Sequence, residues 1–280
     1  MYVYGGDKFK LSTFYKKRFF GIYPMFWIAY FFGFLLLFWI YKQIPFQSVP
    51  KWKFIFTIIG CDGMISSSTS TFYILGEWFL GCIICLYIVF PLMRFLINKY
   101  PKISVFLILT AFCAMELFYN WRLPRDVIFI TRLPEFCFGM YFIKYIKKVK
   151  WPFAIAGLII IIVNWIIAPD FIPQDVQILY IGVASFIILM YISKFIEKSK
   201  LIVDLSGFIS KYSYAIFLTH HVIIMQVCAQ FNIMGFSIWS SIACFTLCLV
   251  LTLISSVLLY KFEKTIMSKI FTYLATKKTN

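Results

Sequence analysis

Residues 19–41 read FFGIYPMFWIAYFFGFLLLFWIY, 23 residues in succession without a charge. An α-helix needs about 20 apolar residues to cross a hydrocarbon core about 30 Å thick. In that medium every backbone N–H and C=O must be satisfied within the protein, which leaves helices and closed barrels as the spanning structures. The stretch therefore predicts a transmembrane helix, and it has company. Segments at roughly 75–97, 103–120, 127–146, 152–168, 177–195, 213–230 and 237–260 read the same way, eight spans in all. Pro24 and Pro134 inside two of them are tolerable where neighbouring helices satisfy the freed carbonyls.

The composition agrees. Of 280 residues, 62% are hydrophobic, 21% aromatic and 14% charged, against about 45–50% apolar and 25% charged in soluble domains. A soluble globule of this size could not bury that much apolar surface, and a disordered chain would lack it. The expected fold is an all-α, polytopic membrane helical bundle, one domain over residues 1–280.

The net charge of +16 would suggest nucleic-acid binding in a soluble protein. Here the basic residues flank apolar runs, so they report topology. With Met1 on the cytoplasmic side, 21 of the 27 Lys and Arg fall in segments 1–18, 94–102, 144–150, 194–211 and 261–278. Only Lys42, Lys51, Lys53, Arg122, Arg125 and Arg132 lie on the other side. Both termini are expected in the cytoplasm, and no nucleic-acid partner is expected. Residues 1–11 contain no apolar core of a signal peptide. The long external segment 42–74, with its Gly and Ser/Thr content, reads as a loop or short re-entrant piece. DLSGFISKYS, 204–213, reads as an amphipathic surface helix leading into the seventh span.

Seven of the eight cysteines lie in apolar segments, and Cys82 and Cys85 have no second ligand pair at zinc spacing. All eight are read as packing residues, with no metal site. Ionisable groups at membrane depth are costly and so are functional candidates: Glu77, Glu116, Arg132, Glu135 and His220, with His221 beside it. Arg132 and Glu135 are three apart and share a helix face. They read either as an internal ion pair or as substrate contacts. Glu116 reads as snorkelling or structural. Lys16, Lys17 and Arg18 read as a topology anchor or as a site for the phosphates of a soluble donor.

Five stretches together resemble the acyltransferase 3 family. They are FYKKRFFGIYPMFWI (14–28), EWFLGCIICLYIVFPLM (77–93), RLPEFCFGMYF (132–142), SYAIFLTHHVII (213–224) and YKFEKTI (260–266). Each is short, but their order and spacing run through nearly the whole chain. The resemblance implies an integral enzyme of the bacterial cytoplasmic membrane that moves an acyl group, usually acetyl. Acetyl-coenzyme A is the implied donor substrate and no cofactor stays bound. The implied acceptor is a hydroxyl of a cell-surface or exported glycan, with lipids as the surroundings. Carried over to this sequence, Lys17 and Arg18 hold donor phosphates, Arg132, Glu135 and Glu77 line the substrate cavity, and Trp78 and Tyr87 support it. His220 is the late-helix histidine and the expected substitute base. Two departures accompany the match. The family's usual ten spans and its first-span Arg and His have no counterpart here, so the chain is expected to lack the first two helices and with them full activity. Gly21 stands where the family has a second Arg. The competing reading is a non-catalytic carrier, flippase or scaffold for a glycan or lipid-linked precursor.

Overall fold

The computed structural model describes residues 9–120, 122–167, 169–231 and 235–279; Lys8 of the basic set expected on the cytoplasmic side and the end of the fifth expected span at 168 lie outside them. The helices are α1 (Leu11–Tyr41), α2 (Phe54–Ile59), α3 (Asp62–Ile65), α4 (Trp78–Lys99), α5 (Pro101–Phe118), α6 (Leu133–Tyr141), α7 (Trp151–Ile167), α8 (Gln174–Ile196), α9 (Lys200–Cys228) and α10 (Ile238–Thr279). No strand occurs among the described residues, and the all-α polytopic class stands as expected. Six of these helices are long and apolar enough to cross a membrane, namely α1, α4, α5, α8, α9 and α10, and α7 is apolar but shorter. Large apolar side chains such as Phe106, Trp165 and Phe245 are more than two-thirds exposed, as lipid-facing positions should be.

The fourth expected span, 127–146, is not one helix. A 3-10 turn at Arg125–Val127 precedes α6, which has nine residues, and a single π turn at Phe142–Ile146 follows it. Pro134 explains the break: it sits in the first turn of α6, where its missing N–H costs nothing, and it biases the residue before it away from helix. The amphipathic segment 204–213 also differs from expectation, since it is continuous with the seventh span inside α9.

The chain divides into two compact units, one of Met1–Phe14 and Phe79–Leu205, the other of Tyr15–Trp78 and Ser206–Asn280. In the first, Phe14 stacks on the fully buried Phe90 of α4 at 4.7 Å between ring centroids. α7 and α8 pack as a hairpin in which Gly157 lies against the backbone of Ala184. Small residues at such contacts let helices approach where lipid supplies no hydrophobic drive.

In the second unit the segment 42–77 folds into short helices and loop. Its carbonyls need donors, and α1 supplies them from one face. Tyr23 Oη donates to Ile59 O at 3.1 Å, Trp27 Nε1 to Ile58 O at 3.0 Å and Tyr30 Oη to Phe72 O at 2.9 Å. Spacings of four and three residues align these side chains, so carbonyls of the irregular segment find donors within the protein. Tyr214 Oη of α9 donates to Ile22 O, and the hydroxyls of Thr219 and Ser256 join α9 to α10 at 2.9 Å.

Candidate functional site

Two glycines shape the end of segment 42–77. A Cβ on Gly63 would lie 2.3 Å from Trp78 Cα and 2.6 Å from its N, so the backbones of 62–63 and 77–78 touch. Gly76 has φ +73°, and a Cβ there would lie 2.4 Å from His221 Cγ. These contacts bring Asp62 and Glu77 together and set the His221 imidazole against Gly76. Tyr30, Thr57 and Tyr73 complete the group. The Tyr73 ring lies 6.3 Å from His221, and Asp62 and Glu77 interact with Tyr30 through their charge.

The result is a buried polar cluster. Asp62 and Glu77 are both 0% exposed. Their four carboxylate oxygens, with Thr57 Oγ1 and Thr71 Oγ1, make no hydrogen bond. Thr57 and the Phe72 backbone lie beside Asp62, and amides of 74, 75 and 77 beside Glu77; both favour the anions, but burial outweighs them. Burial therefore raises Asp62. It pushes Glu77, which precedes the α4 span, up to about 7, with a smaller push from Asp62. Tyr73 rises to about 12, from burial first and the Glu77 charge second. A carboxyl near 7 exchanges protons at neutral pH.

This has a measurable consequence. Below the ordinary value of 4.5, folded and unfolded chains both hold the Glu77 proton. From there to about 7 the unfolded chain has released it and the folded chain keeps it, so stability falls as pH rises and levels off above. The total is about 3 kcal/mol. The thermal midpoint in detergent should follow that slope, and Glu77→Gln should flatten it; an unchanged slope in the variant would show that another group carries it.

Apart from this cluster, a cleft of about 700 Å³ lies where α1 ends, lined by Tyr41, Gln43, Gln47, Ser48, Ser70 and the buried Thr71. Lys17 is exposed and Arg18 half-buried near the start of the same helix, and Trp78, 41% exposed, opens α4. From Arg18 to Tyr41 the helix rises about 35 Å, with Tyr30 near the midpoint.

His220 points elsewhere. Its Nδ1 lies 2.9 Å from Phe217 O and 3.1 Å from Ile216 O, on its own helix. Of the two adjacent imidazoles, His221 is the one against Gly76, the residue before Glu77.

The remaining predicted residues belong to the first unit. Arg132 Nη1 meets Glu135 Oε1 at 3.6 Å and its Nη2 meets Asp175 Oδ1 at 3.6 Å. The ion-pair reading is thus observed, with a third member from α8. Glu116 pairs with Arg125 at 3.2 Å, the structural role expected of it. Tyr87 sets its ring edge-on to Phe14. Asp175→Asn would leave the mostly buried Arg132 with one carboxylate, and removing a partner from a buried charge costs about 1–3 kcal/mol. A lower thermal midpoint, partly restored by Asp175→Glu, is the expected result; no change would mean Glu135 suffices.

Asp62, Tyr30, Thr57, Tyr73 and Asp175 were not singled out from sequence. Asp62 carried one signal, an acid flanked by glycine in an otherwise uncharged stretch of 54–76.

The acyltransferase 3 family model, described as an acyltransferase domain, matches residues 2–261, and the chain belongs to that family as a membrane acyltransferase in general. No curated protein and no solved structure matches it.

Proposed function

We propose that this protein transfers an acyl group, commonly acetyl, from acyl-coenzyme A to a hydroxyl of a cell-surface or exported glycan at the cell membrane. The observation that carries the reading is the buried pair Asp62 and Glu77, whose four carboxylate oxygens make no hydrogen bond, with the His221 imidazole against the adjoining Gly76. Buried acceptors without partners ask for donors, and sugar hydroxyls are donors. The outer cleft has amides, hydroxyls and aromatic Tyr41, a lining suited to a polyol. Lys17 and Arg18 offer cations to donor phosphates at the opposite end of α1.

In this reading His221 takes the proton of the acceptor hydroxyl as its oxygen attacks the thioester carbonyl. The tetrahedral intermediate collapses with cleavage of the C–S bond. Coenzyme A thiolate leaves and receives the proton. Glu77 and Asp62 hold neighbouring hydroxyls, with Trp78 at the mouth of α4. Arg132, Glu135 and Tyr87 support the first unit. The test uses membrane vesicles containing the full chain and acetyl-labelled coenzyme A. Label in the glycan fraction, released by mild alkali as acetate, supports an O-ester product. Absence of transfer from the wild-type chain to any membrane glycan would refute the proposal.

A further inference from the structure

Cys228 is the last residue of α9, and Cys244 and Cys248 stand one turn apart near the start of α10, a spacing that puts them on one helix face. Their three sulfurs all fall within 4.8 Å of one another, and among the described residues no histidine, aspartate or glutamate joins the group. A triangle with no edge longer than 4.8 Å has a point within about 2.8 Å of all three corners. An ion placed there would need each sulfur to shift by roughly half an ångström to make metal–sulfur bonds of about 2.3 Å. The Cys248 thiol already interacts with both of the others. Cys248 is buried, Cys228 and Cys244 are half-buried, and all three line a cavity of about 440 Å³, which gives an ion a way in.

The cluster offers three sulfurs and nothing else. His220 lines the same cavity, but it stands eight residues before Cys228 on α9, about 12 Å of helix rise away. Its Nδ1 is turned back to Phe217 O at 2.9 Å and Ile216 O at 3.1 Å. A structural zinc site is closed by four ligands, which these residues do not supply. Thiolate sulfur is soft and selects soft ions, Cu(I) among them, and Cu(I) is satisfied by three sulfurs. Packing accounts for a cysteine at each of the three positions; it gives no reason for the three to meet.

We infer that Cys228, Cys244 and Cys248 form a three-coordinate, all-sulfur site for a soft monovalent cation, Cu(I). For these three residues it replaces the packing role expected from sequence. Planar trigonal geometry with bonds of about 2.3 Å puts sulfurs about 4.0 Å apart, so small side-chain rotations close the site. Each thiol that ligates as thiolate exchanges its S–H bond for an S–Cu bond and releases the proton to water. Copper enters and stays as Cu(I), and no electron moves. Because the ligands sit on two helices, the ion ties the end of α9 to the start of α10. This inference is independent of the acyl-transfer reading.

The test titrates Cu(I) into the full-length, metal-depleted protein in detergent, without oxygen and with a reductant that carries no thiol, in competition with a coloured Cu(I) chelator. One ion per chain should be held against the chelator, with three sulfurs and no nitrogen around it by X-ray absorption. Cys228→Ser should leave two sulfurs on the copper. Partners outside the ligand shell are worth about 10–100-fold in affinity, so Cys244→Ser/Cys248→Ser, which removes two of the three ligands, should weaken binding at least about a hundredfold. Cys113→Ser, elsewhere in the chain, should change nothing. The wild-type measurement needs no variant to fold: if the protein yields all its copper to the chelator, or if the ion has a nitrogen ligand, the inference is overturned. It is equally overturned if Cys244→Ser/Cys248→Ser holds copper as tightly as the wild type, or if peptide mapping shows two of the three thiols joined as a disulfide that persists in the reducing buffer.

Discussion

Alanine at position 63 is expected to leave little folded protein in the membrane. The added Cβ would stand 2.3 Å from Trp78 Cα and 2.9 Å from the Glu77 carbonyl carbon. These are backbone atoms at the start of α4, so no side-chain rotation can make room, and the chain must part where Asp62 meets Glu77. Overpacking that a core can absorb costs about 1–3 kcal/mol. A backbone collision belongs with the rare losses above about 4 kcal/mol, on the order of 10 °C in thermal midpoint. Gly139→Ala and Gly207→Ala are the controls, because a Cβ at either meets no atom within 4 Å. Both lie in helices, where alanine is favoured over glycine by about 1 kcal/mol. A Gly63→Ala protein as stable as these controls would show that segments 62–63 and 77–78 do not touch in the membrane. Gly76→Ala adds a second strain, since φ +73° disfavours any Cβ and the imidazole of His221 occupies the same space.

His221→Ala should lower acyl transfer about 10²–10⁴-fold, the range typical of a lost general base. The KM for acyl-coenzyme A should change little, because donor phosphates are read by Lys17 and Arg18 on α1. The acid limb of the pH–rate profile should be lost in this variant, and added imidazole should restore part of the rate. His220→Ala gives the contrasting measurement. If it abolishes transfer while His221→Ala retains it, the base is His220, as the sequence motif suggests, and the buried cluster has another role.

Several features could be read without a structure. The spans of α1, α4, α5, α8 and α10 begin within a few residues of the expected positions or extend them, because a run of apolar residues partitions into lipid whatever its neighbours do. The Arg132–Glu135 pair followed from helix periodicity alone. The fourth span failed because hydropathy registers apolar content and ignores where Pro134 starts a helix. Asp175 was missed because it belongs to a loop-to-helix start, and its partner is more than forty residues earlier.

The sequence by itself determined the solvent and the class: a helical membrane protein, with motifs in the order of its family. These properties are local, and each residue contributes in proportion to its own transfer energy. Only the tertiary structure decided which histidine lies against Gly76, that Asp62 meets Glu77, and that three cysteines share one cavity with His220. Those facts depend on backbone contacts closed by Gly63 and Gly76 and on how α9 lies along α10. Adjacent residues on a helix point about 100° apart, so the pair His220 and His221 had to look in different directions. What each of them sees is set by chain segments that only the fold brings near.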